Sequence, residues 1–126
     1  MIKINVIEKG QPGVAGGGEK KFYASPVMNG ELTLAGLTKT IEKISTVSGA
    51  DIRAVLYGMV DVITDSLADG KIIRLGELGS LRVSISSEGK ATAEEVNAGC
   101  VKNSKIIFSP GIDIKKVLDD LEFEKA

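Results

Sequence analysis

Gly13 and Gly18 stand at the interval of a phosphate-binding loop, G-x-x-x-x-G, inside the stretch GQPGVAGGGEKK from Gly10 to Lys21. Such a loop cradles phosphates with backbone N–H groups, and it needs a Lys after its second Gly, a hydroxyl for the metal and a helix beyond. Glu19 occupies the Lys position, no Ser or Thr follows Lys20, and the segment KKFYASPV alternates like a strand. A carboxylate at that point repels phosphate. The stretch therefore reads as a hairpin loop in which Gly supplies positive φ angles. The chain has no His and a single Cys, which removes the commonest general base, the commonest nitrogen metal ligand and the usual structural zinc sets. An intramolecular disulfide is impossible. Carboxylates are plentiful, but none pair in a recognisable catalytic setting. Cys100, beside Val101 and with no cluster of cations around it in sequence, reads as a semi-buried structural thiol rather than a reactive one. No enzymatic activity, no cofactor or metal, and no small-molecule substrate is expected.

What remains must be positioned by a small fold. The 126 residues suit one ordinary domain, and a core of that size gains from a partner subunit. Hydrophobic residues make up 43% and charged residues 26%, the balance of a globular chain. No apolar run approaches the roughly 18 residues of a membrane span. The opening MIKINVIEKG lacks the continuous hydrophobic region of a secretory signal, so the expected address is the cytoplasm, with no membrane partner.

Ile2, Ile4 and Val6 alternate along a first strand and KKFYASPV forms a second. From Thr33, a plausible N-cap, the period becomes helical: Leu34, Leu37, Ile41, Ile44 and Val47 recur at steps of three and four. Ser48 and Asp51 open a second helix, whose broad stripe of Ile52, Val55, Leu56, Met59, Val60, Ile63 and Leu67 stops at Asp69-Gly70. Such a stripe belongs to a core or a subunit interface. Two strands follow, with Ile73 and Leu75 in the first and Leu81, Val83 and Ile85 in the second, and Gly76 and Gly79 mark the turn between them. KIIFSPG reads as a further strand. IDIKKVLDDL reads as a short helix with Ile114, Val117, Leu118 and Leu121 on one side. The expected class is α+β: a helical hairpin, a three-stranded antiparallel sheet and a C-terminal helix, preceded by an extra β-hairpin.

The helical pair with the following hairpin, VSGADIRAVLYGMVDVITDSLADGKIIRLGELGSLRVS, and the segment IIFSPGIDIKKVL resemble the bacterial histone-like DNA-binding family of HU and integration host factor. The Gly-x-x-Gly turn at Gly76 to Gly79 and the Phe-x-Pro-Gly turn at Phe108 to Gly111 carry much of the likeness, which covers residues 34 to 118. The resemblance implies a nucleoid-associated homodimer that binds double-stranded DNA on a sheet saddle, with two β-ribbon arms reaching around the minor groove. It also implies two parts, residues 1–30 as an N-terminal extension like that of elongated relatives and residues 31–126 as the histone-like domain.

Charge gives a physical test of this expectation, because DNA binding is driven largely by cations that displace condensed counterions. The net charge of −1 and a sequence pI near 5.5 are unlike the basic members. The strand-bearing residues 1–36 and 71–109, however, hold 10 basic and 7 acidic residues, while the helical remainder holds 6 and 10. The positive side is thus the saddle side. Candidate DNA contacts are Lys71, Arg74 and Arg82 on the sheet, with Lys90, Lys102 and Lys105 flanking the connection; Lys3, Lys20 and Lys21 lie in the extension.

The connection SSEGKATAEEVNAGCVKNSK, Ser86 to Lys105, occupies the arm position but departs from the family pattern. Family arms carry an Arg-Asn-Pro wedge; here no Pro lies between Leu81 and Ser109, and the midpoint is Glu94-Glu95. Carboxylates oppose entry into the negative minor groove. Thr92 to Glu95 has the form of a capping box, so a short helix from Ala93 to about Ala98 competes with an extended ribbon. Two functions fit: a largely sequence-independent DNA-binding protein without the intercalating proline arm, or a module of the same fold that serves protein interaction or assembly and has lost DNA binding.

Overall fold

A computed structural model describes residues 1–126, which divide into two compact units: Met1–Thr33 with Val117–Ala126, and Leu34–Lys116. In the first unit, strand β1 (Ile2–Lys9) pairs antiparallel with β2 (Lys21–Val27), from Lys3↔Val27 to Lys9↔Lys21. The glycine-rich stretch between them is a hairpin loop, closed by Gln11 N–H donating to the Gly17 carbonyl at 2.7 Å and containing one 3-10 turn, Ala15–Gly17. A third strand comes from the other end of the chain. Residues Phe123–Lys125, numbered β6, run parallel to β1 in the register Ile2↔Phe123 to Ile4↔Lys125.

The second unit opens with α1 (Leu34–Ile44) and α2 (Gly49–Ala68), joined by Ser45 to Ser48. Ser48 caps α2 by accepting from Asp51 N–H at 3.3 Å, and Asp51 places a negative charge in the first turn. At the other end, Gly70 N–H donates to the Leu67 carbonyl and Lys71 N–H to the Ser66 carbonyl, each at 3.0 Å, the bond pair of a Schellman motif. The most deeply buried side chain of the unit is a polar one, Thr38, 1% exposed. Its hydroxyl donates to the Leu34 carbonyl at 2.7 Å, so it carries no unmet bond into the helix contact. A Cβ at Gly49 would meet its methyl at 3.5 Å.

β3 (Ile73–Arg74), β4 (Gly79–Ser87) and β5 (Val101–Pro110) form an antiparallel sheet in that order, with α2 against β3 and β4. The turn at Gly76–Leu78 is a 3-10 turn, closed by Leu75 N–H to the Gly79 carbonyl at 2.8 Å. The Pro110-Gly111 turn seats directly on it: Gly111 N–H donates to the Leu78 carbonyl at 3.1 Å. A Cβ on Gly111 would run into the Glu77 carbonyl, and one on Gly79 into the Ser109 carbonyl. Gly79 also holds φ at +137°, a region that side-chain-bearing residues avoid.

After the seat, α3 is a single turn, Ile112–Lys115, and a 3-10 turn, Lys116–Asp120, leads into β6. The sequence pattern predicts one helix over IDIKKVLDDL, and this is corrected. The helical run covers Ile112–Asp120 but tightens after one turn from 3.6 to 3.0 residues per turn. Phe123 and its neighbours instead satisfy their backbone groups against β1.

Few hydrophobic side chains are buried within the chain: Ile52, Leu67 and Cys100. Val55, Tyr57, Val60 and Val62 of α2, and Ile85 and Ile106 of the second sheet, are each more than half exposed.

Gly79→Ala and Gly111→Ala are each expected to lower the unfolding free energy by about 2 kcal/mol, as the Ser109 or Glu77 carbonyl must shift to admit the methyl. Gly89→Ala, whose Cβ would meet nothing, should change it by less than about 0.5 kcal/mol. Urea denaturation of the three variants checks this.

Candidate nucleic-acid interface

Side chains on paired strands alternate between the two faces of a sheet. The β4–β5 register runs Ser80↔Ser109, Leu81↔Phe108, Arg82↔Ile107, Val83↔Ile106, Ser84↔Lys105, Ile85↔Ser104, and β3 adds Ile73↔Leu81 and Arg74↔Ser80. One face is therefore mainly apolar, with Ile73, Leu81, Val83, Ile85, Ile106 and Phe108 beside Ser104. The other carries Arg74, Arg82 and Lys105 among Ser80, Ser84, Ser86, Asn103 and Ser109, with Ile107 directly across from Arg82 as its one apolar member. No carboxylate stands on that face.

Three of the six candidate cations are thus brought together, all exposed. The other three are placed differently. Lys71 precedes β3 and lies 3.6 Å from Asp69. Lys90 sits in the connection, 3.5 Å from Glu88. Surface pairs of this kind are weak and screened by salt, but each of these lysines has a carboxylate beside it that a phosphate must displace. Lys102 falls at the irregularity where the register steps from Ser86↔Asn103 to Ser87↔Val101, so it has no partner directly across the strands.

At the turn end of the polar face lies a hollow of about 280 Å³. Arg74, Ser80 and Ser109 surround it, and its floor is the backbone of Gly76, Gly79 and Gly111. A guanidinium with two hydroxyls over bare backbone suits one anionic oxygen cluster. The serines and Asn103 were the residues that sequence reasoning passed over. Their signal lay in Ser80-x-Arg82-x-Ser84-x-Ser86, the polar half of the alternation whose apolar half located the strand.

The connection between β4 and β5 is compact. Strand pairing ends at Ser87↔Val101, and Glu88 N–H donates to the Cys100 carbonyl at 2.8 Å. Between them lie two 3-10 turns, Ala93–Glu95 and Ala98–Cys100. The expected single helix from Ala93 to Ala98 does not form, and neither does a ribbon through these residues. Val96 and Asn97 are extended, at φ −80°, ψ 126° and φ −148°, ψ −177°. Asn97 accepts from Gly99 N–H at 2.9 Å and so starts a second turn. The capping box is also altered: the Thr92 hydroxyl donates to the Glu95 carboxylate at 3.2 Å in place of accepting a backbone N–H. Cys100 is 3% exposed, with its sulfur 3.7 Å from the Glu95 carbonyl.

No group of His, Cys, Asp and Glu side chains is arranged to hold a metal ion, and no helix is long and apolar enough to cross a membrane. No curated protein matches the sequence. Among solved structures, the chain is similar to a protein from Bacteroides vulgatus provisionally assigned as a bacterial DNA-binding protein. The two share 13% identity at a TM-score of 0.60, over 98% of this chain and 47% of that one. The chain thus spans about half of that protein's length, and the likeness establishes the fold. Residues 1–125 match the family described as an HU domain fused to wHTH, Ig, or glycine-rich motif. With the helical hairpin, the three-stranded sheet and the seated Pro-Gly turn all in place, the chain belongs to this HU family.

Proposed function

We propose that the protein is a non-enzymatic, histone-like DNA-binding protein that acts as a homodimer in the nucleoid. It contacts the phosphates of double-stranded DNA through the polar face of the β3–β4–β5 sheet and selects little for sequence. The observation that carries this reading is the convergence of Arg74, Arg82 and Lys105 with four serines and Asn103 on a face without carboxylates. Arg, Lys and hydroxyl donors are the groups that bind phosphate oxygens and position a protein on a duplex. Membership of the HU family supports the reading, as does the likeness to the B. vulgatus protein.

The compact connection sets the mode of binding. It offers no proline wedge, and Glu94 and Glu95 stand at its midpoint, where the resemblance puts an arm tip. Affinity then comes from the backbone alone, with sequence felt only through the shape and stiffness of the duplex. Exposed apolar residues on α2 and on the second sheet support the homodimer, since patches of this kind cover one another in subunit interfaces. The same fold without DNA binding, as an assembly module, is the reading that the low pI favours.

Mobility shift of short duplexes separates the two. DNA binding predicts retardation at low salt, with a binding constant that falls as salt rises. Replacing Arg74 and Arg82 with Gln is expected to weaken binding equally across unrelated sequences and to reduce the log–log salt slope by about 0.9 for each phosphate no longer neutralised. Absence of any shift with micromolar protein at low salt would leave the assembly module. For the homodimer, sedimentation equilibrium should give twice the chain mass, and Val62→Asp should shift the population toward single chains and lower the melting temperature.

A further inference from the structure

The N-terminal sheet gathers three lysines on one face. The register Lys3↔Val27, Asn5↔Ser25, Ile7↔Tyr23 and Lys9↔Lys21 puts Lys3, Lys9 and Lys21 on one face with Tyr23, Asn5 and Ser25, and with Ile7 and Val27 between the charges. Ile4, Val6, Phe22, Ala24 and Phe123 take the other, together with Glu8 and Lys125. Lys9 and Lys21 stand directly opposite each other across the strands, a placement that disfavours a sheet unless opposite charge lies over it. The structure's two ion pairs, Lys71 with Asp69 and Lys90 with Glu88, are elsewhere. The carboxylate on this face is Glu124, beside Lys3 at the far end from the pair. Lys9 is held over the sheet by its own neighbour, its ammonium 5.0 Å from the centroid of the Tyr23 ring.

We propose that this face is a second DNA-contacting surface that takes the phosphate backbone on Lys9, Lys21 and Lys3. The inference rests on the reading that the protein binds DNA, but it concerns a separate sheet. Duplex DNA supplies what the face lacks, a dense row of negative charge laid over the Lys9–Lys21 pair. The reach also fits. Six strand steps from Lys3 to Lys9 span about 20 Å, which matches the axial rise of about six nucleotides at roughly 3.4 Å each. Cations at the two ends thus meet separate phosphates of one strand. Tyr23 and the amide and hydroxyl groups between them add donors without adding sequence preference.

The test measures salt dependence on the full chain. Lys9→Gln with Lys21→Gln is expected to reduce the log–log slope by about 0.9 per lysine and to weaken binding several-fold at low salt, with the melting temperature unchanged or raised. Lys125→Gln removes the same charge from the opposite face and should leave the slope as it is. Combining the Lys9 and Lys21 changes with Arg74→Gln and Arg82→Gln should add their effects. A slope unchanged by the Lys9 and Lys21 pair, in a protein that still binds and still responds to the Arg74 and Arg82 pair, overturns this proposal and keeps the saddle. A slope lowered per charge as much by Lys125→Gln overturns it too, because the effect is then one of net charge. The reverse pattern, weakening with the lysine pair and none with the arginine pair, upholds this surface and removes the saddle.

Discussion

The pairing of β4 with β5 is the constraint on which the candidate site depends. A strand has a period of two, so a register from Gly79↔Pro110 to Ser86↔Asn103 decides at once where every side chain of both strands points. Slipping it by one residue would turn Arg82 toward the apolar side and Leu81 toward water. The register is anchored at one end by the seat of Gly111 on the Gly76–Leu78 turn, where two backbones approach too closely for any Cβ. The glycines that carry the family likeness therefore do more than line the hollow beside Arg74. They also fix the phase in which Arg74, Arg82 and Lys105 come to share a surface.

Elements held by a local pattern were legible in the sequence. Ile52, Met59, Ile63 and Leu67 recur at helical spacing over about four turns of α2, and its ends carry their own signals in Ser48 and Gly70. Strands β1, β2 and β4 alternate, and the turns between elements contain the glycines that their geometry requires. Elements held by distant partners were not legible. Phe123–Lys125 has too few residues for a pattern, and it is a strand only because β1 offers an unpaired edge. Thr38 was invisible as a core residue because its hydroxyl, satisfied one helical turn back, lets a polar side chain behave as a small apolar one.

The site was legible in part for a related reason. Charge counted along the chain located the cationic half, but only the register sorts the cations. It groups Arg74, Arg82 and Lys105, while Lys71 and Lys90 each meet a nearby carboxylate, an outcome decided by loop geometry. In the connection the capping signal at Thr92 was real, but it competed with Val96, a β-branched residue in an extended conformation, and with Asn97, which begins a turn of its own. Short polar segments offer the backbone several local bonding schemes of similar strength, and the choice among them falls to context.

The parallel pairing of β6 with β1 has a consequence for the order of folding. The residues it joins lie at nearly opposite ends of the described chain, and the whole of the second unit is threaded between them. As the polypeptide leaves the ribosome, the β1–β2 hairpin can close early, and Leu34–Lys116 can settle as one uninterrupted run. The third strand of the first sheet arrives after both. Pairings of such long sequence separation are slow to form, so until residues 123–125 have emerged the edge of β1 stays open and the nascent protein carries an unpaired strand.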